Sequence, residues 1–146
     1  MENALKAKVL LVDDEEDFLS TLTERLESRG LKVTTALSGE QALAKVETEG
    51  FDLIVLDLAM PGMGGLEALK RIKDKQPDAE IIILSGQGSI KTSIEAMKLG
   101  AEDFMEKPVK ITELLDKISD AKDKRFLVLE KKSAKEIEKI LNSKGW

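Results

Sequence analysis

Three stretches without a polar residue, Val9-Leu10-Leu11-Val12, Leu53-Ile54-Val55-Leu56 and Ile81-Ile82-Ile83-Leu84, restrict what this chain can fold into. None alternates apolar with polar residues, so each reads as a strand covered on both faces, the signature of the centre of a parallel sheet. Two of them run directly into acids, Asp13-Asp14 after the first and Asp57 after the second. If these strands are parallel neighbours, three carboxylates converge at the carboxyl edge, where open α/β sheets place their sites. Carboxylates this close repel, and without a counterion at least one has its pKa raised and loses its charge. A hard divalent cation removes the conflict. Mg2+ is held in this style, by one or two carboxylates together with waters and phosphate oxygens, so the cup points to phosphate chemistry.

Helical patterns separate the runs. Phe18, Leu19, Leu22 and Leu26 form one apolar stripe that Gly30 ends. Ser38 and Gln41 make a capping-box signature ahead of Leu43 and Val46, closed by Gly50. Leu66, Leu69 and Ile72 form a third stripe, stopped before Pro77. Ser89 is placed to cap a fourth helix carrying Ile90, Ile94 and Met97 and ended by Gly100, and Ile111, Leu114, Leu115 and Ile118 open a fifth. Lys32 to Ala36 is a more mixed run that suits an edge strand, and Asp103 to Met105 is a weaker fifth one. The alternation predicts an α/β fold of the (βα)5 type with helices on both faces of the sheet. The expected division is a domain over 1–121 and a helical C-terminal extension over 122–146, in which Phe126 to Leu129 prolong the fifth helix and Ser133 to Glu136 form a second capping box before Ile137, Ile140 and Leu141.

Composition narrows the function classes. With no cysteine among 146 residues, neither a disulfide framework nor a thiolate metal site is available. Met1-Glu2-Asn3-Ala4 is polar and leads straight to the first strand, and no apolar run reaches membrane-spanning length, so a cytoplasmic protein with no membrane partner is expected. The net charge of -5 is uneven: residues 122–146 hold eight Lys or Arg against four Asp or Glu, about +4, leaving about -9 on residues 1–121. An acidic body repels polyanions, which argues against direct nucleic-acid binding.

Five places carry a more specific resemblance: Val12-Asp13-Asp14-Glu15, Leu56-Asp57-Leu58-Ala59-Met60-Pro61-Gly62, Leu84-Ser85-Gly86, Phe104, and Lys107-Pro108. In this order on this strand frame, the chain over roughly residues 6 to 121 resembles the receiver (CheY-like) domain of two-component response regulators. The resemblance implies a flavodoxin-like doubly wound sheet in the order 2-1-3-4-5. It implies that Asp57 is the phospho-acceptor, attacking the phosphohistidine of a sensor kinase, with an easily hydrolysed mixed anhydride as product. Asp13, Asp14, Asp57 and the backbone carbonyl of Ala59 would bind Mg2+. Lys107 would contact a phosphoryl oxygen and neutralise charge developing in transfer. Ser85 would give the phosphoryl group a hydroxyl hydrogen bond, and Phe104 corresponds to the aromatic whose rotamer follows that hydroxyl on activation. A cis bond before Pro108 would aim Lys107 inward. Ala59 and Gln87 occupy the positions that tune hydrolysis.

The plainer roles are a turn at Asp57, support of the first helix by Asp14 or Glu15, a solvated Lys107 and core packing for Phe104. Three rival readings fit less well, one of them a degenerate receiver that no longer accepts phosphate, against which all five site positions hold competent residue types. A Mg2+-dependent aspartyl-phosphate hydrolase of the haloacid dehalogenase type wants a second Asp where Ala59 stands. An FMN-binding flavodoxin-like module wants an uncharged phosphate loop where Asp13-Asp14-Glu15-Glu16 stand. The expected role is therefore a phospho-acceptor signalling module, catalysing only its own phosphoryl transfer and dephosphorylation. Its partners would be a sensor histidine kinase or phosphotransfer protein and a downstream protein target. A stand-alone receiver is the expected context, with a receiver cut from a longer transcriptional regulator as the alternative. The extension is compatible with packing back on the domain, with a homodimer, or with a partner-binding helix.

Overall fold

The computed structural model describes residues 6–59, 63–86 and 90–143. Its elements alternate strictly: β1 (Lys8–Val12), α1 (Glu16–Glu27), β2 (Lys32–Ala36), α2 (Gly39–Thr48), β3 (Leu53–Asp57), α3 (Gly65–Lys75), β4 (Ile81–Ser85), α4 (Ile90–Lys98), β5 (Asp103–Glu106) and α5 (Ile111–Ser143). The five strands form one parallel sheet in the order β2-β1-β3-β4-β5. The mixed run is thus an edge strand, and the three uninterrupted apolar runs lie inside. Alternate strand residues feed two cores. Leu10, Val12, Ile54, Leu56 and Ile83 pack with α2, α3 and α4 on one side, while Val9, Leu11, Val55, Leu84 and Met105 pack with α1 and α5 on the other. Each fully buried Leu or Ile contributes about 1.5–3 kcal/mol of apolar transfer, so the double-sided burial of β1, β3 and β4 dominates stability.

Local signals explain the ends. Ser38 Oγ accepts from the Gln41 N–H at 3.1 Å, and Gln41 Oε1 accepts from the Leu37 N–H at 2.8 Å, a variant of the capping box reaching one residue ahead of the cap. Gly30, at φ 88°, turns the chain after α1 while Leu31 N–H closes on the Leu26 carbonyl.

The structure settles the orientation of one helix and corrects one expectation. The stripe of Ile90, Ile94 and Met97 faces outward, at 71%, 52% and 39% exposure, and α4 instead buries Ser93 and Ala96. Small residues let this helix lie close to the sheet, which periodicity alone does not distinguish from an inward apolar stripe. The second capping box also starts no new helix: Ser133 and Glu136 lie inside a continuous 33-residue α5, which contains neither Gly nor Pro to break it. The expected cap at Ser89 lies outside the described residues.

Beyond Ala121, α5 is fastened to the amino-terminal edge of the sheet mainly by charge. Lys124 pairs with Glu102 at 2.9 Å and with Glu80 at 3.9 Å, Arg125 with Asp52 at 3.5 Å, and Lys132 with Asp78. The excess of basic residues in the extension is placed against part of the acidic excess of the body.

Gly65 opens α3 directly under the turn that follows β3. A Cβ there would lie 2.4 Å from Leu58 Cα and 2.7 Å from the Asp57 carbonyl oxygen, both rigid backbone, whereas a Cβ at Gly64 meets nothing within 4 Å. Gly65→Ala is expected to destabilise the fold by about 1–3 kcal/mol, with Gly64→Ala close to neutral, as read by urea denaturation of the two variants.

Candidate functional site

Register brings the acids together. Val12 pairs with Leu56, so the next residue on each strand, Asp13 and Asp57, emerges at the same rim. Asp57 is itself level with Leu84, which puts Ser85 one step further along β4. The Lys107 N–H donates to the Ser85 carbonyl at 3.0 Å, tying the end of β5 to the end of β4. Carboxylate oxygens of Asp13, Asp14 and Asp57 lie within 4.8 Å of one another. Asp13 and Asp57 are buried, at 1% and 4% exposure, and Asp14 is exposed, so the cluster opens to solvent on one side.

Hydrogen bonds fix the two buried acids. Asp13 Oδ1 accepts from the Glu15 N–H at 2.9 Å, and Asp57 Oδ1 accepts from the Ala59 N–H at 3.1 Å. The Lys107 ammonium lies 2.8 Å from Asp13 Oδ2, 3.0 Å from Glu15 Oε1 and 4.0 Å from Asp57 Oδ2, with the centroid of the Phe18 ring 4.5 Å away. Asp13 Oδ2 is close to that ammonium but off hydrogen-bonding geometry, and it is a buried oxygen with no donor. Burial raises the Asp57 pKa. The Ala59 bond and Lys107 oppose that rise, while the charges of Asp13 and Asp14 add to it. For Lys107, burial favours loss of its proton, but its close ion pairs with Asp13 and Glu15 and the charge of Asp57 outweigh this and raise its pKa.

These residues fit a hard divalent cation. The donors are all carboxylate oxygens, a buried one among them has no hydrogen-bond donor, and among the described residues one ammonium pairs with the cluster, which leaves excess negative charge. Asp13, Asp14 and Asp57 would hold Mg2+, which would supply a positive charge between the acids and a phosphate oxygen.

The remaining predicted residues surround this rim. Ser85 is buried, at 3% exposure. Phe104 pairs with Ile83 on the α4 side of the sheet, yet is 42% exposed rather than packed in the core. The Lys107–Pro108 peptide bond is cis. Met60, Pro61, Gly62 and Gln87 lie outside the described residues. Sequence reasoning placed Glu15 only as support for α1 and Phe18 only in its apolar stripe. In the structure Glu15 occupies the N-cap position without capping the helix, and both side chains contact Lys107. The available signal was a third acid in a row, with an aromatic three residues on, in the first turn of α1.

A raised carboxyl pKa means that folded Asp57 holds its proton more tightly than the unfolded chain does. That contribution to stability is present below the ordinary Asp range and is lost as pH rises through the folded value. In divalent-free buffer, Asp57→Asn is therefore expected to gain stability over the parent between roughly pH 4 and pH 8. Urea denaturation at both ends would show it; a gap that does not widen with pH would contradict the assignment.

Comparisons with known proteins agree with this geometry. The family model described as response regulator receiver domain matches residues 9–119. The chain is 34% identical over 125 residues to the C4-dicarboxylate transport transcriptional regulatory protein DctD of Rhizobium meliloti, covering 86% of this chain and 27% of that protein. It is 39% identical over 104 residues to the alkaline phosphatase synthesis transcriptional regulatory protein PhoP of Bacillus subtilis, covering 71% and 43%. Among solved structures, a response regulator receiver domain protein from Clostridium thermocellum superposes with a TM-score of 0.80 at 35% identity, covering 84% of this chain and 98% of that one. The chain thus spans under half the length of both regulators. It belongs to the response regulator receiver domain family.

Proposed function

We propose that Asp57 accepts a phosphoryl group from the phosphohistidine of a sensor kinase or phosphotransfer protein, and that the resulting change in the surface alters affinity for a downstream protein. The observation that carries this reading is a buried, desolvated carboxylate with one oxygen fixed by the Ala59 N–H and the Lys107 ammonium 4.0 Å from the other. A carboxylate oxygen of Asp57 attacks phosphorus, the P–N bond to the donor imidazole breaks with its electron pair going to nitrogen, and an acyl phosphate forms. Lys107 neutralises charge on the phosphoryl oxygens, and Ser85 donates its hydroxyl hydrogen bond. Asp13, Asp14, Asp57 and the Ala59 carbonyl are the proposed Mg2+ ligands. The module changes its own state and turns over no separate substrate.

Phosphorylation adds nearly two negative charges and three acceptor oxygens. Ser85 moving toward them biases the neighbouring β4–α4 segment, with Phe104 following it inward. The exposed Ile90, Ile94, Met97 and Phe104 then form the surface whose partner changes, either a target protein or a second copy. The expected compartment is the cytoplasm. One observation favours a particular output: DctD and PhoP are transcriptional regulatory proteins much longer than the matched region. That supports a receiver acting as the input part of such a regulator, with contact to nucleic acid made by other segments.

Incubation with labelled acetyl phosphate and Mg2+ is expected to give acid-labile phosphate on the parent protein. Chelation of Mg2+ or the Asp57→Asn substitution should reduce it to background, whereas retained labelling of the variant would show that another residue is the acceptor.

A further inference from the structure

Lys107 serves the proposed chemistry only when its ammonium reaches the phosphoryl group on Asp57, yet in the structure that group is held elsewhere. Its contacts are Asp13 Oδ2 at 2.8 Å, Glu15 Oε1 at 3.0 Å and the face of Phe18 at 4.5 Å, and the phospho-acceptor is the most distant carboxylate at 4.0 Å. Asp13 belongs to the cation cluster, but Glu15 and Phe18 do not. Glu15 stands at an N-cap position that would favour a short side chain bonded back to the helix, and it makes no such bond. Its carboxylate instead spans 92 positions of sequence to reach Lys107. Phe18, one turn along the same helix, completes the enclosure with an aromatic face, the surface that attracts an ammonium.

We propose that Glu15 and Phe18 form a resting seat for the Lys107 ammonium, and that leaving it is a step in the response to an anion at Asp57. The inference rests on the phospho-acceptor reading. Glu15 and Phe18 are positioning residues acting through Lys107. The seat opposes engagement, so a receiver with a weaker seat engages its anion more readily. An exposed ion pair and a cation–π contact are each worth about a two- to fivefold change in an equilibrium, so the seat tunes the response without blocking it.

The full chain with beryllofluoride and Mg2+ as the phosphoryl mimic provides the test. Glu15→Gln and Phe18→Leu should each tighten beryllofluoride binding about two- to fivefold. Phe18→Trp, offering a stronger cation–π face, should weaken binding, a reversal that loosened packing would not produce. Glu16→Gln removes the same charge one residue away and controls for the general field. The second readout is the side-chain nitrogen resonance of Lys107 in protein free of Mg2+ and beryllofluoride, assigned by its loss in Lys107→Met. That resonance should shift in Glu15→Gln and in both Phe18 variants and stay in place in Glu16→Gln. An unmoved resonance in the seat variants, or binding changes no larger than those of Glu16→Gln, would overturn the seat. Failure of the parent protein to bind beryllofluoride would instead overturn the phospho-acceptor reading, and the resonance would still report whether Lys107 rests where proposed.

Discussion

Mutual repulsion among carboxylates at one rim of the sheet is the constraint on which the rest of this structure depends. Asp13 and Asp57 are buried because β1 and β3 are interior strands, and the apolar coverage that stabilises those strands also withdraws water from the acids at their ends. An uncompensated buried charge costs several kcal/mol, so each acid needs partners. Backbone N–H groups of Glu15 and Ala59 supply one each, and Lys107 arrives from the far end of β5 to supply positive charge. The compensation is partial, since Asp13 Oδ2 keeps no hydrogen-bond donor and Asp57 keeps a raised pKa. Departures from packing rules of this kind are what functional sites carry.

The same features explain which parts of the molecule were legible in the sequence. β1, β3 and β4 could be read because a strand covered on both faces has no freedom to include polar residues, and the acids that end them are conspicuous against that background. β2 was recognisable as an edge from its Lys and Thr content. The orientation of α4 was not legible because periodicity reports that a helix has two faces but not which one meets the protein. Here the apolar face is outside, and Ser93 and Ala96 provide a close-fitting inner one. The extent of α5 was obscured by a local capping pattern at Ser133, which has no effect where the helix is already propagating and nothing interrupts it. Glu15 and Phe18 were hidden for another reason: their partner lies about ninety residues away, and local spacing carries no information about it.

Charge is also organised at the opposite end of the sheet. Burial and the Glu102 charge lift the Glu80 pKa there, and Lys124 opposes the rise. Lys124, Arg125 and Lys132 come from the basic portion of α5, so the uneven charge distribution along the sequence becomes short-range neutralisation in the fold. Exposed pairs of this kind are individually weak, but several along one helix fix its direction.

That direction has a mechanical consequence. Lys117 joins α5 to Asp103 at the start of β5, the strand that carries Phe104, so the base of the helix is coupled to the strand beside the site. Past Lys132, which is still tied to Asp78, the helix continues to Ser143 for about 16 Å at ordinary rise per residue. An arm of that length turns a tilt of about 5° at its root into a displacement of about 1.4 Å at its tip.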